Sequence, residues 1–190
     1  MLGTAVTPTT SAVATPLPYR SAAPWAVRVA KVAALTAVPS GLWRVALGVG
    51  IPVGFSGAME RQMTAHMPGW ATLYVLALSA LAETLAFLSL GLVRPWGRVT
   101  PSWLPLIGGR RVRPWAAVVP AGLGAVAVTA LTFAAGFGGW YGPNAMGNPE
   151  APHGLAGLAM TLCYAPLLLW GPLLAIVTVD YLRRSRAGAR

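Results

Sequence analysis

Residues Trp70 to Val93 read WATLYVLALSALAETLAFLSLGLV, an apolar run broken by a single charge, Glu83. At ~1.5 Å of rise per residue, a helix of this length crosses a ~30 Å hydrocarbon core. Trp70 and Tyr74 sit at one end of it, where amphipathic rings suit a membrane interface. This run decides the fold class: an all-α integral membrane protein.

Composition agrees. Of the 190 residues, 56% are hydrophobic and 9% are charged. Water-soluble domains carry roughly 25% charged residues. So little charge cannot cover a water-facing surface, and lipid is the fitting solvent. The net charge of +10 comes from 14 Lys+Arg against 4 Asp+Glu. On a soluble chain that balance would point to nucleic acid. Here the basic residues flank apolar runs, so anionic headgroups and topology control explain them, and no nucleic-acid partner is expected.

Working outward, the sequence predicts a four-helix transmembrane bundle with spans near 42–58, 70–93, 116–137 and 155–181. The first is the weakest, being short, interrupted by Pro52 and carrying Arg44 within a turn of its start, from where the side chain would snorkel to the headgroups. Gly50 and Gly54 form a GxxxG pair in it, a spacing that lets helices approach closely. Residues 25–38 are apolar apart from Arg28 and Lys31 on one helical face, and predict an interfacial helix or a cytoplasmic extension of the first span; residues 25–58 as one long helix is the alternative. Residues 1–24 are rich in Thr, Ala, Ser and Pro without periodicity, which predicts a disordered tail. In the fourth span, Pro166 and Pro172 predict kinks.

Orientation follows from the basic residues. The segments placed inside hold twelve: Arg20, Arg28, Lys31, the loop arginines Arg94, Arg98, Arg110, Arg111 and Arg113, and the C-terminal Arg183, Arg184, Arg186 and Arg190. The outer loops hold Arg61. This asymmetry predicts both termini in the cytoplasm and a multi-pass protein of a bacterial inner membrane. Arginine outnumbers lysine thirteen to one, a composition typical of GC-rich bacterial genomes. The arginine-rich inner loop, with Trp96, Trp103 and Trp115, is expected to fold back on the membrane face and meet lipid headgroups.

Glu83 is the candidate for chemistry. A carboxylate in a span costs roughly 2.5 kcal/mol or more to insert. Thr72, Leu76, Ser79, Glu83 and Phe87 share one helical face, and Thr84 lies on the next. Three roles compete for Glu83. It is a structural group, protonated or paired with Arg44, Tyr164 or a threonine; it contacts a ligand, ion or proton; or it is the general acid of a membrane enzyme. Ser79, Glu83, Thr84, Tyr164 and Arg44 are the expected polar lining of the bundle. Asp180 is expected to pair with Arg183 or Arg184. The lone Cys163 reads as a small core residue. His66 and His153, near Glu60 and Glu150, fall in separate outer loops and read as exposed or capping residues rather than metal ligands, and neither a metal nor a cofactor is expected.

The stretches Gly69-Trp70-Ala71-Thr72-Leu73-Tyr74, Gly91-Leu92-Val93-Arg94-Pro95-Trp96-Gly97, Trp103-Leu104-Pro105 and Gly108-Gly109-Arg110-Arg111-Val112 resemble a group of small actinobacterial membrane proteins. The resemblance covers most of Gly41 to Arg184. It implies four spans, an inner loop rich in Trp, Pro and Arg, an acidic residue in the second span and a bacterial cell membrane, and it implies no activity.

Two functions are therefore carried forward. The first is a membrane protein that binds a partner or a lipophilic small molecule within the bundle, assisting export or resistance, as a homo-oligomer or with another membrane protein. The second is a small membrane enzyme of cyclase or isomerase type that acts on an isoprenoid or lipid-like substrate with Glu83 as its acid. A second carboxylate deep in a span, useful for such chemistry, is lacking; Asp180, at the inner end of the fourth span, or Glu60 would serve only at a membrane depth other than the one expected.

Overall fold

A computed structural model describes residues 21–97, 109, 112–141 and 148–187. All regular structure among them is helical: α1 (Pro24–Leu35), α2 (Val38–Gly48), α3 (Gly57–Thr64), α4 (Trp70–Leu88), α5 (Pro114–Tyr141), α6 (Gly154–Tyr164) and α7 (Leu167–Ala187). A 3-10 turn, Ser89–Leu92, prolongs α4. Three helical runs are long and apolar enough to cross a membrane: Trp70–Leu92, Pro114–Gly138 and Gly154–Ala187. They coincide with the second, third and fourth expected spans.

The first expected span is different. The helix over 42–58 stops at Gly48. Gly50 takes φ 84°, the Gly50 amide donates to the Leu47 carbonyl at 3.0 Å, and the Ile51 amide donates to the Ala46 carbonyl at 2.9 Å. Those two bonds around a left-handed glycine form a Schellman stop. Gly54, also at positive φ, lies outside any helix, where a Cβ would run into the Ala156 side chain. The GxxxG pair is thus a helix terminator and a turn, not a helix-packing motif.

The helical path extends the other way instead. α1 and α2 follow each other with two residues between them, and the Thr36 amide still donates to the Val32 carbonyl at 3.0 Å. The interruption has a local cause: Pro39 has no N–H for the Leu35 carbonyl. The same defect at Pro166 separates α6 from α7, whereas Pro172 is accommodated inside α7.

Packing runs along this α1–α2 rod. α1 lies against α7 and the 3-10 turn, and α2 lies against α4 and α6. Ala26, Ala30, Ala33 and Ala37 recur every three or four residues and are all fully buried. Ala26 and Ala30 meet Leu92, Val93, Ala125, Leu174, Val177 and Tyr181. Ala33 and Ala37 meet Ala86 and Trp170. Arg28 and Lys31 lie on the exposed side. Small side chains let the backbones close in, which is how helices gain dispersion contact where lipid removes the hydrophobic drive.

α5 packs mainly on α7. Its contact is tight at Gly171, where a Cβ would lie 2.8 Å from the Thr129 nitrogen and 2.9 Å from the Ala125 carbonyl oxygen. The other flank is bare: Leu123, Val126 and Leu131 are 67%, 70% and 70% exposed. In water such a flank would drive aggregation, and in lipid it is the ordinary outer surface of a span.

Candidate functional site

The polar residues of the interior gather where α2, α4, α6 and α7 meet. Glu83, on α4, has its carboxyl against Gly41 of α2. A Cβ built on Gly41 would lie 2.6 Å from Glu83 Oε1, so a hydrogen at this position is what admits the carboxyl. One turn further along α2 is Arg44. Its Nη2 donates to Ser40 Oγ at 3.3 Å, and Ser40 Oγ donates to the Ala37 carbonyl at 2.8 Å. The guanidinium lies close enough for its charge to bear on both Glu83 and Tyr164, the last residue of α6.

Three buried polar atoms here have no hydrogen-bond partner among the described residues: Arg44 Nε, Glu83 Oε1 and Trp170 Nε1. Trp170 is 6% exposed and packs on Ala33, Ala37 and Ala86, one turn from Gly41 on α2 and from Glu83 on α4. Each unmet buried group costs roughly 1–3 kcal/mol. Arg44 Nε and Trp170 Nε1 are donors, and Glu83 Oε1 is an acceptor.

The expected lining residues divide. Arg44, Glu83 and Tyr164 come together. Ser79 is buried on the same face of α4, but its hydroxyl donates to the Val75 carbonyl at 2.9 Å. Thr84 is exposed and donates to the Ala80 carbonyl at 2.7 Å, so it does not line the interior. Arg44 does not snorkel outward from the start of a span. It lies in the last turns of α2, with Nε buried, because the helix begins earlier and ends earlier than expected. Ser40, Gly41 and Trp170 were not anticipated. The alanine spacing of residues 26–37 was the available signal, since it marks α1 as a packed element and carries α2 into the interior with it.

The ends of the bundle are closed differently. At one end Asp180 and Arg184 pair at 2.7 Å, as expected from their spacing, and Arg184 Nη2 also donates to the Leu92 carbonyl at 3.0 Å. Trp96 stacks on Phe87 with ring centroids 5.6 Å apart, so the start of the arginine-rich loop folds back on α4. Arg186 lies over the Trp115 ring at 5.7 Å. Arg94, Arg113 and Arg183 are exposed. Arg98, Arg110 and Arg111 lie outside the described residues, as does most of the expected tail.

At the other end Glu150 fastens two loops. The Ser56 amide donates to the Glu150 carbonyl and the Met59 amide to Glu150 Oε2, both at 2.9 Å. The backbone amides of Ala58 and Met59, with a smaller contribution from Arg61, hold the Glu150 carboxyl below the usual carboxylate range. His66 packs against Trp70, ring centroids 5.2 Å apart, and His153 precedes α6. Among the described residues no three of His, Cys, Asp or Glu converge.

No protein-family model, curated protein or solved structure matches the chain.

Proposed function

We propose that the chain is a four-crossing membrane protein, with α1–α2 as its first crossing and both termini in the cytoplasm. On this reading the α2–α4–α6–α7 junction binds a lipophilic small molecule that carries a polar head. The single observation that carries the reading is the trio of unmet polar atoms on Arg44, Glu83 and Trp170. Buried polar atoms are normally satisfied, and exceptions need a reason. A ligand oxygen accepting from Arg44 Nε and Trp170 Nε1, with a hydroxyl donating to Glu83 Oε1, would supply one. Glu83 lies about 20 Å along α4 from Trp70 and about 14 Å from Leu92 at the standard helical rise, so the head would sit near mid-bilayer. The bare flank of α5 offers a second copy or another membrane protein a surface to pack on.

The test is extraction of the protein with its surrounding lipid from the host that makes it, followed by mass spectrometry of co-purifying small molecules. A species retained by wild type and lost from Glu83→Gln at equal protein yield supports binding. If it is retained by the variant in chemically altered form, the enzyme reading with Glu83 as acid is favoured. Identical profiles for the two proteins remove Glu83 from the site. Orientation is tested by single-cysteine labelling with a membrane-impermeant reagent: Gln62→Cys should react in intact cells, and Arg186→Cys only after permeabilisation.

A further inference from the structure

We propose that the adjoining outer faces of α5 and α7 bind an anionic phospholipid, with its phosphate held by Arg183 and Arg186 beside Trp115. The two helices pack antiparallel: Gly136 meets Leu168, Thr129 meets Gly171, and Arg186 lies over the Trp115 ring at 5.7 Å. The last contact sets the charged end of one exposed face beside the start of another. On α7, Ile176, Val179 and Arg183 follow at i, i+3 and i+7, and all three are exposed. On α5, Trp115, Val119, Leu123 and Val126 follow at i, i+4, i+8 and i+11, and each is at least half exposed. At the standard rise this α5 face is about 16 Å long, the depth of one leaflet of a ~30 Å hydrocarbon core. The rest of the α5 flank, from Ala127 on, stays open to a protein neighbour.

Charge selects the occupant. The chain has four acidic side chains. Asp180 is taken by Arg184, Glu83 lies within α4, Glu60 is on α3, and Glu150 is bonded to the Met59 amide of α3. Arg183 and Arg186 therefore pair with no carboxylate among the described residues, and their counter-charge has to come from outside the chain. Guanidinium meets phosphate with parallel N–H···O bonds, which makes a phosphate the fitting anion. A soluble anion would answer the arginines alone and leave the apolar faces beside them unused. A lipid phosphate answers both, with acyl chains along Val119, Leu123 and Val126 on one side and along Val179 and Ile176 on the other. The ring of Trp115 holds the Arg186 guanidinium at the level where these faces begin. The site stands apart from the Glu83 junction and does not rest on a ligand there.

The test uses the full chain in an uncharged detergent, incubated with equimolar dioleoyl phosphatidylglycerol and dioleoyl phosphatidylcholine, with retained lipids counted by native mass spectrometry. Wild type should retain phosphatidylglycerol in preference. Arg183→Gln/Arg186→Gln, at exposed positions, should weaken that retention by at least about tenfold while the unfolding midpoint stays unchanged. Trp115→Leu should weaken it by about threefold. Arg28→Gln/Arg94→Gln removes the same charge from the same end of the bundle but from other faces, and should change retention by less than about twofold. The proposal is overturned if wild type retains the two lipids equally. It is overturned if the Arg28/Arg94 variant loses as much as the Arg183/Arg186 variant, since the preference would then be a diffuse effect of net charge. It is also overturned if glycerol phosphate, which offers the phosphate without acyl chains, displaces the lipid at equal concentration.

Discussion

The α1–α7 seam and the α2–α4–α6 junction are built by one nearly continuous helical rod, yet they differ in how their polar groups fare. Along the seam, alanines close the gap, Thr36 and Thr178 donate to carbonyls of their own helices, and Arg184 bridges Asp180 and the Leu92 carbonyl. At the junction, Arg44 and Glu83 each leave a buried atom unmet, as does Trp170, which reaches from α7 to Ala33, Ala37 and Ala86. The carboxyl and guanidinium beside the seam are paired with each other, whereas Glu83 and Arg44 each keep an unmet atom.

Substitutions can break that comparison. The largest effect is expected at Gly171, where a new Cβ would meet the Ala125 carbonyl and the Thr129 nitrogen, neither of which can swing away. Gly171→Ala should cost about 3 kcal/mol, read as a lower unfolding midpoint in detergent. Next is Ala30→Leu in the fully buried ridge, with a cost of about 2 kcal/mol from overpacking. Arg184→Met removes the ion pair and the tether to Leu92, both largely sheltered from solvent, and should cost about 1–2 kcal/mol. Glu83→Gln keeps the shape and the unbonded Oε1 but removes the charge opposite Arg44, and should cost about 0.5–1 kcal/mol. A Glu83→Gln cost larger than that of Arg184→Met would erase the distinction between the two regions.

The smallest effect concerns Glu150, well away from both regions. Its carboxyl is held below the ordinary value of 4.5 by hydrogen bonds present in the folded state. The stabilisation is therefore complete above that value and is lost as pH falls through the lowered folded value. Protection of the Ala58 and Met59 amides, relative to their intrinsic exchange at each pH, should fall in acid below pH 4.5, while protection along α7 stays unchanged. Loss of protection along α7 over the same range would show that the loops and the bundle open together.

Much of this was legible in the sequence because it depends on local pattern. Uninterrupted apolar length located α4, α5 and α6–α7, and i, i+4 spacing paired Asp180 with Arg184. The helix expected over 42–58 ends at Gly48 although its apolar run continues, because hydropathy does not register a left-handed glycine that ends a helix. The arginine and lysine on α1 drew attention to its polar side, although its alanine side is what packs. Thr84 was placed in the lining by adjacency to Glu83, but one residue turns a side chain about 100° around a helix.

The sequence by itself determined that the chain is helical, that three of its runs suit a bilayer, and that Glu83 stands out as a carboxyl within one of them. These follow from length, apolar content and helical periodicity, which are properties of single segments. The tertiary structure decided what Glu83 meets. Gly41 admits its carboxyl, and Arg44, with its Nε buried, brings its charge to bear on it. Those contacts join helices distant in the chain, and their register is set by an alanine ridge and by a glycine stop that hydropathy does not detect.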